Sequence, residues 1–375
     1  MRFAIAANGF AEGPAQALRD FLVARNADVV TMFHPLSPEQ GGGHLITTYA
    51  DGRRVRERRV RLPLRPPFSF AFDPFVPLLP PRVDVWFGFN PLACARGLVE
   101  RSVRRASFVA LWSVDFVPDR FGRGTLVTRM YDRLDRLCCA RADMRIELSE
   151  AARAARNRRH GIARDDALIV PMGAWVDRIA ATTQDNFARR RVVFLGHLVE
   201  RQGVRTLLEA LARQDGVAAD IIGGGPLEAD LRALVGRLGL ENRVDFHGYI
   251  DDHGEIERLL SRCSVAVAPY KQREDTFTRY ADPGKLKAYL AAGLPVVLTD
   301  VPPNARELVR EAGAEIVDDH AEAIAAGIER ALSDPEEWRA RRLAALAYAQ
   351  RFDWNELLTE LFVKIGLGVP VPGRG

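Results

Sequence analysis

A short segment in the second half of the chain combines a helix start with a cation. Asp282, Pro283, Gly284 and Lys285 precede an apolar stretch that ends near Gly293. Asp282 suits the N-cap and Pro283 the first helical position. The free N–H groups of the first turn and the helix dipole favour an anion. Lys285 stands where the dipole would prefer an acid, which favours phosphate binding over the alternative of a solvated lysine.

A second loop with binding chemistry follows the apolar residues 192–196. Gly196 is followed by His197, and Arg201 and Gln202 precede the next helical pattern. Ligands of open parallel sheets bind at the carboxyl ends of the strands. We therefore expect His197 and Arg201 to reach a diphosphate. The alternative is a surface loop in which His197 is merely hydrogen-bonded.

A third loop is rich in glycine. Gly223, Gly224 and Gly225 follow an apolar strand pattern and precede Pro226. Glycines let a ligand approach the backbone, and proline suits a first helical turn. The pattern G-x-G-x-x-E ends at Glu228 and is not a full dinucleotide fingerprint. A tight turn is as good an interpretation as a ligand loop.

The elements that must position these loops alternate between strand and helix patterns, which predicts an α/β fold with mostly parallel sheets. The predicted strands are 2–7, 28–33, 83–87, 108–112, 145–148, 167–170, 192–196, 220–222, 244–246, 265–268, 295–298 and 315–317. The second half has the pattern of a doubly wound nucleotide-binding sheet. We predict a linker at 177–190, a last helix at 354–365 and a disordered Gly/Pro tail.

Composition and length are those of a globular protein with two domains: 375 residues, 47% apolar and 27% charged. The four cysteines, Cys94, Cys138, Cys139 and Cys263, have spacings of neither a zinc site nor a disulfide framework. The apolar start is too short for a signal peptide, and no apolar run approaches the roughly 18–20 residues of a spanning helix. We therefore expect a cytoplasmic protein with reduced cysteines.

Basic residues concentrate in the first half. Residues 1–180 contain 28 Lys and Arg against 19 Asp and Glu. Seven arginines lie in 53–65, and a proline- and phenylalanine-rich stretch follows at 66–81. One interpretation is an anionic partner or peripheral contact with the inner face of the membrane. The others are arginine-rich composition, and a packed loop beside a solvated basic hairpin.

Six segments of the second half, in order, resemble family 4 glycosyltransferases of the GT-B fold. They are F-L-G-H-L-V-E-R-Q-G, I-I-G-G-G-P-L, V-D-F-H-G-Y, A-V-A-P-Y, D-P-G-K-L-K-A-Y-L-A-A-G-L-P-V-V and R-F-D-W, within 194–354. The resemblance implies two Rossmann-like, doubly wound domains facing a cleft. Residues 1–180 would form the acceptor domain and 190–350 the nucleotide-sugar donor domain. A last helix, 351–366, would cross back to the first domain.

The family pattern is incomplete in this chain. His197 replaces the family's arginine and Gln202 its lysine, and Arg201 could substitute for either. The family's two glutamates fall on Tyr280 and Ala288, and an alanine cannot hold a ribose. Pro283 and Lys285 match one branch of the family, and Tyr249 lies where the nucleotide base stacks or bonds to backbone. The resemblance thus implies donor binding, with altered ribose and base contacts.

The resemblance also implies a mechanism and first-half residues. No D-x-D triplet occurs, which argues against the metal-dependent fold of sugar transferases, so we expect no essential metal or other cofactor. Lys285, Arg201 and His197 would stabilise the leaving diphosphate. Asp115 follows the strand 108–112 and would orient or deprotonate the acceptor, with turn capping as the alternative. Asn8-Gly9-Phe10 would contact donor phosphate or acceptor. The family implies retention of anomeric configuration.

Two other functions remain open. Nucleotide-sugar 2-epimerases share the fold but need acids and a histidine around the sugar, which Tyr280 and Ala288 do not provide. A degenerate, non-catalytic scaffold is the second alternative, suggested by the changes at His197, Gln202 and Ala288. A nucleic-acid partner is not expected, because no aromatic-basic module fits. The sequence leaves the sugar, the nucleotide, the acceptor and the oligomeric state open.

Overall fold

The computed structural model describes residues 1–10, 12–35, 43–61, 68–71, 73, 82–164, 166–272 and 277–368. The chain divides into two compact units. Unit 1 comprises Met1–Pro171 and Leu357–Gly375, and unit 2 comprises Met172–Glu356. The division therefore lies before the predicted linker, and residues 172–180 are part of unit 2 rather than of the first domain.

The described part of unit 1 contains one eight-stranded sheet. Its strands are β1 (Arg2–Asn8), β2 (Asp28–His34), β3 (Gly43–Ala50), β4 (Arg53–Arg61), β5 (Val83–Gly88), β6 (Ala106–Ser113), β7 (Met144–Glu147) and β8 (Leu168–Ile169). The order is β4-β3-β2-β1-β5-β6-β7-β8. The strands from β2 to β8 along this order are parallel, and β3 pairs antiparallel with both β2 and β4.

Helices of unit 1 begin at residues that suit a helix N-terminus. The helices are α1 (Pro14–Val23), α2 (Pro91–Ser102), α3 (Leu126–Arg141) and α4 (Glu150–His160). Pro14 occupies the first turn of α1, and the side chains of Asn90 and Ser149 accept N–H groups at the starts of α2 and α4. Each helix follows a parallel strand, as right-handed crossovers require.

The arginine-rich segment forms the edge strand of this sheet. All arginines of β4 are exposed, and the strand is held by its antiparallel pairing with β3. The segment is thus the solvated basic hairpin that the sequence allowed, up to Arg61. The remaining predictions for 62–67 and 74–81 lie outside the described residues. Charged side chains on an edge strand also discourage pairing with another chain.

Unit 2 contains a parallel sheet in the order β11-β10-β9-β12-β13-β14. Its strands are β9 (Arg191–Leu195), β10 (Ala218–Ile222), β11 (Val244–Gly248), β12 (Val265–Ala268), β13 (Val296–Leu298) and β14 (Glu315–Ile316). Its helices are α5 (Val204–Leu211), α6 (Glu228–Leu238), α7 (His253–Leu260), α8 (Gly284–Ala291), α9 (Ala305–Ala312), α10 (Ala321–Ala331) and α11 (Pro335–Ala349). The helix α12 (Trp354–Lys364) begins in unit 2 and ends in unit 1.

Both faces of the unit 2 sheet are covered. Val193 of β9 belongs to one buried cluster, whereas its neighbours Val192 and Phe194 belong to another. Successive side chains of a strand point to opposite faces, so each face has its own core. This explains why the central strands β9 and β12 are mainly continuous apolar runs rather than alternating ones.

The predicted linker is folded rather than free. Asn186 donates its side-chain amide to the carbonyl of Cys263 (3.0 Å), and Thr182 donates its N–H to the carbonyl of Ala292 (2.8 Å). The polar composition of 177–190 reflects these hydrogen bonds to unit 2. The tail from residue 369 lies outside the described residues. None of the described helices is both long and apolar enough to cross a membrane.

The end of α12 packs into unit 1 through one aromatic side chain. The ring of Phe362 lies 5.8 Å from that of Phe3, 5.7 Å from Phe21 and 6.2 Å from Phe87. Phe362 is fully buried. The residues after Glu356 therefore complete the core of the unit that begins the chain.

Candidate functional site

Two glycine loops meet at the carboxyl ends of the central strands of unit 2. Gly196 donates its N–H to the carbonyl of Ile222 (2.9 Å), and Gly223 donates to the carbonyl of Gly248 (2.8 Å). Gly223 has a φ of 131°, and a Cβ placed there would lie 2.0 Å from the carbonyl oxygen of Gly196. No residue but glycine fits this approach. The sequence loops are thus brought together as bare backbone that a ligand can reach.

Lys285 extends from the start of α8 to the same place. Its Nζ donates a hydrogen bond to Oε1 of Gln202 (2.7 Å) and lies 4.4 Å from the ring centres of Phe194 and Tyr270. A Cβ placed on Gly196 would lie 3.5 Å from this Nζ. The predicted residues Gly196, Gln202 and Lys285 therefore surround one small volume, with two aromatic rings beneath the ammonium group.

The ammonium of Lys285 has an unusual electrostatic environment. Burial lowers the pKa of Lys285 to about 7. No carboxylate among the described residues lies within ion-pair distance of it, and its hydrogen-bond partner is a neutral amide. Part of the residue still reaches solvent. A cation that is desolvated but not neutralised gains most from an incoming anion.

Asp282 does not cap α8, contrary to the prediction. The N-cap residue is Pro283, and α8 has no side-chain cap. The carboxylate of Asp282 instead pairs with Nζ of Lys287 (3.1 Å) and accepts the N–H of Met172 (2.8 Å). Within the described residues, no side chain caps the first turn of α8. An uncapped helix start binds anions better than a capped one.

His197 and Arg201 come close to each other after β9. His197 is exposed, whereas Arg201 is partly buried in the short 3-10 turn Glu200–Gln202. Partial burial and the charge of Arg201 both lower the pKa of His197. A bound phosphate would reverse the second effect, because it favours the charged imidazole.

Tyr249 and Tyr280 are further predicted donor-binding residues, and both are at least partly exposed. Tyr249 follows β11, and its side chain is 63% exposed. A Cβ on Gly224 would lie 3.6 Å from Cβ of Tyr249, so the glycine loop and Tyr249 are neighbours. Tyr280 ends the 3-10 turn Phe277–Tyr280 and is partly exposed. Ala288 packs against the core, so its position offers no ribose ligand.

Asp115 lies in the loop after β6 in unit 1. Its carboxylate pairs with Nη2 of Arg120 (2.5 Å). Its carbonyl accepts hydrogen bonds from Oγ of Ser113 and from Nη2 of Arg156, both at 2.8 Å. These two hydrogen bonds fix the backbone of the loop. The carboxylate of Asp115 is 38% exposed and pairs with Arg120.

The sequence did not lead us to the buried cluster of charged residues around Arg156, which contacts the Asp115 loop. Arg156 is 2% exposed and pairs with Asp135 (2.6 Å) and Glu147 (3.0 Å). Burial alone would lower the pKa of Arg156, but Asp135 and Glu147 raise it overall. His160 completes the group with a hydrogen bond to Asp135 (2.8 Å). Arg156 and His160 share a face of α4 at i and i+4, the spacing that could have indicated the cluster.

The predicted residues after β1 are anchored by their neighbours. Asn8 donates its amide to Oδ2 of Asp73 (2.6 Å) and accepts the amide of Asn90 (2.7 Å). Gly9 donates its N–H to the carbonyl of His34 (2.8 Å), and Phe10 is partly buried. The side chain of Asn8 is therefore engaged within unit 1, and Gly9 and Phe10 form the open part of the loop.

Three aromatic residues of unit 2 were not among the predicted site residues. Phe194 and Tyr270 support the ammonium of Lys285, and the hydroxyl of Tyr289 accepts the N–H of Leu195 (2.6 Å) at the end of β9. Each lies in a segment that the sequence motifs covered. Their positions next to a strand end or on the buried face of α8 were the available signal.

The class of protein is defined by the fold. Sucrose-phosphate synthase from Thermosynechococcus elongatus superposes with a TM-score of 0.69 at 19% identity, over 97% of this chain and 99% of that one. HepE from Anabaena, solved with UDP-glucose, superposes with a TM-score of 0.68 at 18% identity, over 97% and 99%. The chain has the fold of the GT-B glycosyltransferases, as predicted.

The second unit carries the family signature. Residues 189–334 match the family model described as Glycosyl transferases group 1, which confirms the resemblance found in the motifs. The GDP-mannose-dependent alpha-(1-6)-phosphatidylinositol dimannoside mannosyltransferase of Mycobacterium tuberculosis is 29% identical over 194 residues, 50% of this chain and 48% of that protein. The chain thus spans about half the length of this curated relative. The lipopolysaccharide core biosynthesis glycosyltransferase LpsE of Rhizobium meliloti is 43% identical over 61 residues, 16% of this chain and 18% of that protein.

Proposed function

We propose that the protein is a glycosyltransferase that moves a sugar from a nucleotide-sugar donor to an acceptor hydroxyl or amine. The observation that carries the proposal is the ammonium of Lys285, which lies beside Gly196 and Gln202 at an uncapped helix start without a described carboxylate partner. Such a group binds a diphosphate and stabilises the charge that grows on it when the glycosidic bond breaks.

The donor contacts belong to unit 2 in this proposal. Lys285, Arg201 and His197 bind the phosphates together with the first-turn N–H groups of α8, and Tyr249 contacts the base. The names of the relatives support a nucleoside diphosphate: one is solved with UDP-glucose and another is GDP-mannose-dependent. Because Ala288 offers no carboxylate, we infer that the ribose is held through backbone groups near Gly224.

The acceptor contacts belong to unit 1. We assign to Asp115 the orientation of the acceptor, since its carboxylate is already held by Arg120 and its backbone by Arg156. Gly9 and Phe10 supply further contacts. We propose transfer without a metal ion, with the cations of unit 2 in its place, because the sequence lacks a D-x-D triplet. Retention of configuration follows the resemblance.

We also propose peripheral contact with an anionic membrane through unit 1. Helix α3 supports it, because its exposed apolar residues Leu126, Val127 and Met130 lie among the exposed Arg129 and Arg133, and cationic and apolar groups together favour the membrane interface. The exposed arginines of β4 lie at the other edge of the sheet and add positive charge to unit 1. Flotation with anionic vesicles tests this contact, and no recovery in the floated fraction contradicts it.

The decisive experiment is a donor panel. The chain is incubated with UDP- and GDP-sugars and candidate acceptors, and products are detected by mass spectrometry and their anomeric configuration by NMR. Calorimetry with UDP and GDP measures binding. Lys285→Met should lower diphosphate affinity about 10- to 100-fold, the cost of a charge-assisted hydrogen bond. The matched control is Lys364→Met, an exposed lysine of α12 paired with Glu360.

Each alternative gives a different result. No binding of any nucleoside diphosphate to the folded chain would favour the non-catalytic scaffold. Conversion of the donor sugar without an acceptor would favour the 2-epimerase. Equal affinities of the wild type and of Lys285→Met would contradict the assigned phosphate site, even if transfer were found.

A further inference from the structure

His34, His44 and Asp73 place three metal-ligating side chains together inside unit 1. His34 ends β2, His44 is the second residue of β3, and Asp73 follows the 3-10 turn Phe68–Ala71. One ligand atom from each lies within 4.8 Å of the other two. The three residues are 6%, 0% and 5% exposed. Burying two imidazoles and a carboxylate costs free energy unless other groups compensate them.

The distances are close to those of a bound ion. The Nδ1 atoms of the two histidines are 2.8 Å apart, and Nδ1 of His44 is 3.7 Å from Oδ1 of Asp73. Two nitrogens bound to one tetrahedral zinc ion lie about 3.3 Å apart, given zinc–nitrogen bonds of about 2.0–2.1 Å. The two distances that involve His44 are therefore each within about half an ångström of this value, and the ligand atoms of His34 and Asp73 lie within 4.8 Å of each other.

Hydrogen bonding leaves part of this cluster unsatisfied. Within the described residues, Oδ1 of Asp73 and Nε2 of His44 are buried and have no hydrogen-bond partner. A buried polar atom without a partner costs about 1–3 kcal/mol. A cation bound by the three side chains would remove this cost at Oδ1 of Asp73. The orphaned carboxylate oxygen points to a ligand in a way that the paired histidines alone do not.

The charges around the cluster allow a cation. Arg96 is the cation whose charge acts on His34, but its guanidinium pairs with Glu100 at 2.5 Å. Oδ2 of Asp73 is occupied by the amide of Asn8. An ion at Oδ1 would therefore leave the contact with Asn8 in place and fix the carboxylate from its other side.

We propose that His34, His44 and Asp73 bind one divalent transition-metal ion, with Zn²⁺ as the best match for two imidazoles and a carboxylate. The ion ties the ends of β2 and β3 to Asp73 and, through Asn8, to the loop after β1. It leaves one tetrahedral position for water. The site lies in unit 1 and uses none of the phosphate-binding residues, so it does not depend on the proposed sugar transfer.

The first test measures metal binding to the full chain. The protein is produced without a polyhistidine tag, treated with a chelator and titrated with Co²⁺, whose visible absorption reports tetrahedral nitrogen and oxygen ligands. We expect one Co²⁺ per chain, displacement of it by Zn²⁺, and a higher melting temperature with Zn²⁺ than with chelator. A folded chain with neither absorption nor a shift in melting temperature overturns the proposal and leaves a hydrogen-bonded histidine pair.

The second test uses two variants. Asp73→Asn keeps an oxygen that can accept from Asn8 but removes the anionic ligand, so Zn²⁺ affinity should fall by more than the roughly 10- to 100-fold cost of losing an outer-shell partner. His320→Asn is the control, because His320 is exposed and asparagine can still cap α10. Unchanged Co²⁺ binding by Asp73→Asn overturns the proposal. If that variant does not fold, His44→Gln replaces it, and the wild-type titration decides.

Discussion

Arg156 of unit 1 and Lys285 of unit 2 are both partly or fully buried cations, but their electrostatic environments are opposite. Arg156 of unit 1 is surrounded by Asp135 and Glu147 and by the acceptors of the Asp115 loop. Lys285 of unit 2 has a neutral amide and two aromatic rings. Carboxylates of the protein neutralise the first charge, whereas none of the described carboxylates pairs with the second.

The same contrast exists between two lysines of helix α8. Lys287, two residues after Lys285, is 2% exposed and paired with Asp282. Lys285 lacks such a partner among the described residues. Neutralised buried cations hold a fold together, and removing one leaves an unpaired carboxylate. A cation without a carboxylate contributes little to stability and much to anion affinity.

The largest expected effect is on the stability of unit 1. Arg156→Met should lower the free energy of unfolding by about 3–5 kcal/mol, because it removes the buried cation that pairs with both Asp135 and Glu147. Asp135 keeps its hydrogen bond with His160, and Glu147 keeps Arg145 at 3.5 Å. Urea denaturation followed by circular dichroism measures it. Arg153→Met is the control, since Arg153 pairs with the exposed Glu150 on the same helix and should cost less than about 1 kcal/mol. If Arg156→Met were as stable as the control, Arg156 would not be a structural cation, and the contrast with Lys285 would be wrong.

The two lysines of α8 should separate stability from binding. Lys287→Met should lower the free energy of unfolding by about 2 kcal/mol, because Asp282 loses its cation and keeps the N–H of Met172 and, at 3.4 Å, the amide of Asn304. Lys285→Met should stay within about 1 kcal/mol of the wild type while losing diphosphate affinity. Denaturation and calorimetry on the same preparations test both. Equal losses of stability would show that Lys285 is a structural cation.

The lowered pKa of Lys285 predicts a dependence on pH. The unfolded chain holds this proton up to the ordinary lysine range, but the folded chain holds it only to about pH 7. The cost of charging Lys285 is therefore complete below about pH 7 and fades above it, so the stability of the free protein rises with pH there. A diphosphate favours the ammonium, so its affinity should fall as the pH rises, by up to about tenfold per unit.

Calorimetry of diphosphate binding near pH 8 (about one unit above this pKa) in two buffers of different ionisation enthalpy measures the proton taken up. We expect up to about one proton per diphosphate in the wild type and a smaller number in Lys285→Met. Identical proton uptake in the two proteins would assign the titration to another group, of which His197 is the nearest candidate.

The smallest effect should come from the rim. Tyr249→Ala should weaken the binding of UDP or GDP about 2- to 10-fold, the value of an aromatic contact, and leave pyrophosphate binding unchanged. Stability should not change, since Tyr249 is 63% exposed. An equal loss of pyrophosphate affinity would show that Tyr249 contacts the phosphates rather than the base.

Most of the fold followed from continuous apolar runs. The parallel strands of both units were predicted within a few residues, because buried parallel strands are apolar throughout. The strands β3 and β4 were missed, since β4 consists mainly of exposed arginines and is held by backbone pairing from Gly43–Arg61 to Ala50–Arg53. Backbone hydrogen bonds of this kind leave no signal in hydrophobic periodicity.

Site residues could be proposed from the sequence where one segment contains the chemistry, and not where distant residues meet. Lys285 was chosen from local pattern alone, and its role in phosphate binding stays a prediction. Asp282 was misassigned because its partners depend on the tertiary fold: Met172 is 110 positions away, and Lys287 lies on the helix that Asp282 was expected to cap. The cluster of His34, His44 and Asp73 combines three separate segments, so no spacing in the sequence indicated it.

If these loops bind the donor as proposed, the close approach of Gly196 and Gly223 has a consequence for the engineering of donor preference. Because each loop forms one wall against the other's backbone, neither can be exchanged for a homologous loop of different length by itself. A chimera that transplants only the segment after β9 would meet a mismatched partner after β10. Exchange of donor specificity should therefore succeed when both segments are moved as one cassette from a single parent.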